Sequence, residues 1–104
     1  MKQKKSAVPE KPRKEPSWLF PHGSVFWTPG VIREVPLKEA ALSVARHLSG
    51  DWGELDPFDW RQNDLALEFG GRLFSAYETE AGLKFWIITE ADRSSTTILL
   101  TGED

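Results

Sequence analysis

The 104-residue chain contains no cysteine. Disulfide frameworks, thiol nucleophiles and cysteine-ligated metals are therefore excluded. Histidine is almost as scarce: His22 and His47 stand alone, without the paired spacing that zinc sites use, so no metal site is expected. The eight glycines never approach GxxxxGK[ST] or GxGxxG, and no cofactor is expected on that ground. No apolar run nears the roughly 18 residues of a membrane span. The N-terminal stretch is charged and has no apolar core of the kind a secretory leader needs. Together with the missing disulfides, this points to a cytoplasmic protein without membrane contact.

What the chain has in excess is aromatic surface. Five tryptophans and six phenylalanines is a large number for one small domain, and large rings let a short chain build a core from few positions. Charge is distributed unevenly. Residues 1–16 carry Lys2, Lys4, Lys5, Lys11, Arg13 and Lys14 against Glu10 and Glu15, a net +4. The remaining residues hold seven basic and fourteen acidic side chains, a net −7. A segment with three prolines, five lysines and little apolar surface cannot offset its ordering entropy. Residues 1–16 are thus expected to be a disordered basic tail, capable of weak phosphate contact with nucleic acid. Residues 17–104 are expected to form one domain whose acidic surface disfavours broad nucleic-acid binding.

Local patterns place the elements. Ser24–Trp27 reads as a short strand, ended by Thr28-Pro29, a helix cap followed by proline at the first helical position. A helix from Pro36 to about Leu48 is indicated by Leu37, Ala40, Ala41, Val44, Ala45 and Leu48 recurring along one face. Arg46 and His47 in its last turn suit the negative end of the helix dipole. Asp56-Pro57 opens a second helix closed by Gly70-Gly71, with Trp60, Asn63 or Asp64, and Leu67 on one face. Residues 72–77, 83–89 and 96–100 read as three antiparallel strands, the last two apolar enough to be central. The expected fold is α+β: a short strand, two to three helices, then a three-stranded antiparallel meander with the helices packed on one face.

Two constellations could carry function. Arg72, Glu90 and Arg93, with His47 nearby, contain the groups for metal-free RNA cleavage. A carboxylate or histidine takes the 2′-hydroxyl proton, and arginine stabilises charge on the phosphate. Alternatively, Asp51 and Trp52 in one loop, with Glu90, Asp92 and Arg93 in another, form a patch for a protein partner. Trp52 would then be the aromatic anchor and Arg93 a hot-spot contact.

The segments Phe20-Pro21, Thr28-Pro29-Gly30, ARHLSGDWGELD (45–56), GGRLFSAY (70–77), KFWIITEADRS (84–94) and TTILL (96–100) carry a resemblance. The chain resembles a family of small bacterial proteins of plasmids and other mobile elements. That resemblance implies association with a mobile element; with no catalytic motif among the residues, the expected function is that of a non-enzymatic accessory protein that binds another macromolecule, most readily a protein. The element order is also similar to that of RelE- and BrnT-type toxins, which implies the alternative of a metal-independent ribonuclease toxin.

Overall fold

The computed structural model describes residues 18–103; the expected basic tail, residues 1–16, lies outside them. The order is β1 (Ser24–Trp27), α1 (Pro29–Glu34), α2 (Leu37–Leu48), α3 (Pro57–Phe69), β2 (Leu73–Glu78), β3 (Lys84–Thr89) and β4 (Ser95–Leu100). The fold is α+β, and the meander is present with β3 in its middle. The sheet is wider than a meander, however. It runs β1-β4-β3-β2, and β1 pairs with β4 in parallel. From β1 at one edge, α1, α2 and α3 in turn lead the chain to β2 at the opposite edge.

Caps explain where the helices begin. Thr28 Oγ1 accepts from Val31 N–H and opens α1, with Pro29 in the first turn. Asp56 Oδ1 accepts from Asp59 N–H at 2.8 Å and opens α3. Glu103 comes back over the start of α1, accepting from Thr28 Oγ1 at 2.6 Å and from Gly30 N–H at 3.2 Å. The same carboxylate accepts from Leu100 N–H, so it ties the end of β4 to the helix that follows β1.

All three helices pack on one face of the sheet. Side chains alternate across a strand, and Leu73, Tyr77, Phe85, Ile87 and Ile98 point to this covered face. One buried cluster joins Val31 of α1, Val35 just beyond its end and Ala40 of α2 to Tyr77, Phe85, Ile87 and Ile98. A second joins Phe20, Leu48, Trp52 and Leu73, with Trp60, Ala66 and Leu67 of α3 packed against it. Val44 touches both clusters and makes them continuous.

Helix α2 is rotated from the expected setting. Leu37 is 73% exposed and Ala41 is also exposed, while Ser43 and His47 are buried beside Ala40 and Leu48. The inward stripe is therefore partly polar, because the sheet beneath presents hydroxyls to it. His47 is not an exposed cation at the helix end. It lies inside, facing the sheet.

The outer edge of β2 is closed by side chain and loop rather than by another strand. Asn63 of α3 donates to Phe74 O at 2.5 Å and accepts from Phe74 N–H at 3.0 Å, in the manner of a neighbouring peptide. Two residues on, Ala76 N–H donates to Trp52 O and Ala76 O accepts from Glu54 N–H. Gly53 sits between those two bonds at φ 78°, where a Cβ would collide with Ala76 O. An open strand edge invites pairing with other chains, and this one is covered over its middle.

Replacing Asn63 by leucine removes both partners of the Phe74 backbone. We expect a loss of about 2–3 kcal/mol, since a buried peptide group is left unsatisfied. Gln62→Leu on the exposed side of α3 should stay within about 0.5 kcal/mol. Urea unfolding of the two variants checks the difference.

Candidate functional site

His47 is the most heavily engaged polar side chain of the covered face. It has no exposed surface, and it is reached through Phe20 and Trp52, whose rings lie 5.4 and 5.5 Å from the imidazole. Nδ1 lies 2.5 Å from Ser75 Oγ and Nε2 lies 2.9 Å from Thr89 Oγ1. Thr89 Oγ1 is 2.7 Å from Thr96 Oγ1, which donates to His22 O at 2.8 Å. The direction of donation follows from the last link. Thr96 gives its proton to a carbonyl, so Thr89 donates to Thr96, and His47 Nε2–H donates to Thr89. Ser75 then donates to Nδ1. With a neutral imidazole each hydroxyl proton is used once. Burial, with the charge of Arg93 beside it, lowers the His47 pKa to about 3.

Arg93 is held by backbone carbonyls. Its guanidinium donates to Gly71 O at 2.5 Å, to Glu90 O and Ala91 O at 3.2 Å, and to Ala66 O at 3.3 Å. It also lies over the Phe20 ring, 5.6 Å from the centroid. The residue takes φ 63°, which aims the side chain back into the body instead of out from the loop. Arg93 thus fastens the β3–β4 loop to the end of α3.

The four residues considered for RNA cleavage consequently divide. Arg72 and Glu90 pair at 3.6 Å and are both well exposed. Arg93 is spent on carbonyls, and His47 is sealed behind Phe20 and Trp52. A base without exposed surface cannot take a proton from a substrate hydroxyl, and the structure does not bring the four into one site.

The loop patch divides as well. Trp52 is fully buried, and its indole N–H donates to Asp64 Oδ1 at 3.0 Å. It is a core ring and offers no surface to a partner. Asp51 accepts from Arg46 Nε at 2.8 Å and from Gly53 N–H, while its carbonyl accepts from Tyr77 Oη at 2.7 Å. Arg46 and this turn hold the Asp51 pKa below its ordinary value. Asp92 is exposed and accepts from Ser94 N–H within its own turn. Of the five patch residues, Glu90 alone belongs to the wider surface described next.

That surface is the second face of the sheet, which no described helix covers. Strand alternation directs Phe74, Ala76 and Glu78 of β2 to it, with Lys84, Trp86 and Ile88 of β3, Thr97 and Leu99 of β4 and Phe26 of β1. Pairing aligns them in rows. Phe74, Ile88, Thr97 and Phe26 lie side by side across all four strands. The adjoining row is Ala76, Trp86 and Leu99. Phe74 and Trp86 stand edge to face at 5.3 Å across the two rows. Phe26 is 54% exposed, Phe74, Trp86 and Ile88 are half-buried, and Leu99 is buried beneath them. Charge closes the patch at both ends: the Arg72–Glu90 pair on one side, the cross-strand neighbours Glu78 and Lys84 on the other.

The rows were visible in the sequence as runs with apolar residues at consecutive positions, Leu73-Phe74 and Phe85-Trp86-Ile87-Ile88. Such runs suggest strands covered on both sides. Here the second side has no cover among the described residues. A groove lined by Trp27, Val31, Ile32, Val35 and Leu37 lies beside α1, and its lining has no polar side chain to orient a small ligand. Among the described residues no three potential metal ligands converge, and no helix is long and apolar enough to cross a membrane.

The state of His47 is open to measurement. The unfolded chain binds a proton there near pH 6.5, whereas the folded chain does so only near pH 3. Between those values the unfolded state carries the extra proton, so stability is complete above pH 6.5 and falls as the pH drops. The slope should reach at most about 1.4 kcal/mol per pH unit. Asp51 acts in the same direction, but only below its ordinary value of 3.8. The interval from pH 6.5 to 5 therefore reports His47. Urea unfolding across it should show the slope in the native chain and a flat profile in His47→Gln. No family model, no curated protein and no solved structure matches the chain.

Proposed function

We propose that this chain is a non-enzymatic accessory protein that binds another protein through the uncovered face of its sheet. The observation that carries the reading is the double row of Phe26, Phe74, Trp86 and Ile88, apolar in the middle and charged at both ends. Binding surfaces have this composition, with aromatic side chains at the centre and a polar rim. A contiguous apolar patch on a small domain is costly to leave in water, and it marks an interaction surface. The association with a mobile element, and action in the cytoplasm, rest on the sequence resemblance and the absence of cysteine.

This reading moves the binding surface from the loops to the sheet. Trp52 and Arg93 stabilise the domain in it, and Glu90 and Arg72 form part of the rim. The burial of His47 and the engagement of Arg93 count against the ribonuclease alternative.

A photoreactive amino acid placed at Ile88, in the middle of the face, should give discrete protein adducts in cells. The same residue at Lys38, on the outer side of α2, should give none. Adducts at Lys38 alone would refute the sheet as the surface. RNA cleavage by the purified chain in excess EDTA, lost in Arg72→Ala, would replace binding with catalysis as the function.

A further inference from the structure

The pattern on the open face is complementary to itself, and we infer that its partner is a second copy of this chain, stacked sheet against sheet about a two-fold axis lying across the strands. This inference rests on the reading of the face as a protein-binding surface and names the occupant.

The geometry follows from the rows. Call the direction along β2 the long direction of the face. From one end to the other, β2 presents Arg72, Phe74, Ala76 and Glu78, and its neighbour β3 presents Glu90, Ile88, Trp86 and Lys84. A two-fold axis running across the strands, between the two apolar rows, lays each strand over the same strand of the second copy in the opposite direction. Arg72 then faces Glu78 of the second copy, and Glu90 faces its Lys84. Because the contact is two-fold, each pairing occurs twice. All four charges of the rim on these two strands find an opposite charge.

The apolar rows are matched by the same operation. Phe74 comes over Ala76 of the second copy, and Ile88 over Trp86. In each case a larger side chain meets a smaller one, which is how facing layers interdigitate. Stacked sheets keep their strand directions within about 30° and lie about 10 Å apart, the distance such side chains fill.

An axis along the strands would do neither. It would place β2 over β1 and set Arg72 and Glu90 against the Ser24 and Ser95 row, with no charge paired. The face measures roughly 15 by 20 Å from strand spacing and rise. Two such faces cover about 600 Å² together, below the standard interface size, so the dimer is a weak one, in the upper micromolar range.

The test is sedimentation equilibrium of the full chain at low salt, with charge reversals at the two facing positions. The wild-type chain should dimerise in the upper micromolar range. Lys84→Glu places Glu90 against a like charge twice, and Glu90→Lys does the same to Lys84. Each variant alone should dimerise roughly tenfold more weakly. Mixed in equal amounts, the two variants should form a heterodimer of about wild-type strength, because both facing pairs are then opposite in charge. Neighbours within each chain are unchanged by mixing, so recovery reports the facing pairs alone. Trp86→Glu should be monomeric.

A wild-type chain that stays monomeric throughout the micromolar range overturns the inference, as does a dimer that neither reversal weakens. If the reversals weaken the dimer and mixing does not restore it, the proposed axis is wrong. The underlying reading fails separately: a monomer whose Ile88 position still captures other proteins keeps the face as a docking surface for a different occupant. Absence of both dimer and adducts removes both.

Discussion

A four-stranded sheet has two faces, and the described residues supply a single layer of helices. That imbalance governs the rest of the structure. On the covered face, α1, α2 and α3 must supply all the burial that holds the domain together, and the two clusters joined by Val44 are the result. Large rings make this feasible in so few residues, because Phe20, Trp52, Tyr77 and Phe85 each remove much area from water. The opposite face is left with its own apolar side chains and no helix of the described residues to meet them.

Polar groups inside the covered face follow from the same shortage of space. Ser75, Thr89 and Thr96 lie on the covered face beneath the end of α2, where His47 meets the first two. His47 is the one residue there that can satisfy two hydroxyls at once. A buried network of this kind specifies a single packing arrangement when every member is paired. His47 thus fixes how α2 sits on the sheet, and Phe20 with Trp52 keeps water from it. Arg93 has the corresponding task at the loop, where it gathers four carbonyls that α3 and two turns leave exposed.

The fold was largely legible from local signals. Thr28-Pro29 and Asp56-Pro57 each mark a helix start by a mechanism that acts within four residues, and Gly70 marks an end likewise. The meander was legible because its strands are adjacent in sequence. The parallel β1–β4 pair was not, since it joins segments some 70 residues apart and no local pattern encodes it. The rotation of α2 was hidden for a related reason. Leu37 and Ala41 fit an apolar stripe, and only the hydroxyls of the sheet decide that Ser43 and His47 turn inward instead.

The candidate site shows the same division. Trp52 and Arg93 are residue types that dominate interfaces, and in sequence they look available. Their engagement depends on Asp64, Phe20 and a set of carbonyls brought together by the tertiary fold. Phe74, Trp86 and Ile88 looked like core for the converse reason: a strand's apolar run does not say whether one face or two will be covered. Arg72 and Glu90 were the pair that sequence placed correctly together, because each sits at the end of a strand in the meander.

The pairing of β1 with β4 also bears on how the chain is made. Thr28 hydrogen-bonds to Glu103 across 75 positions of sequence, and His22 is bonded to Thr96 across 74. At ordinary translation rates the first partner waits roughly 4–15 s for the second to be synthesised. During that interval β1 and α1 have no strand to rest on, and Val31, Trp27 and Val25 remain without their neighbours. The parallel edge of the sheet is therefore completed only once β4 has been synthesised, and the cluster of Val31, Ile87 and Ile98 beneath it is completed with it.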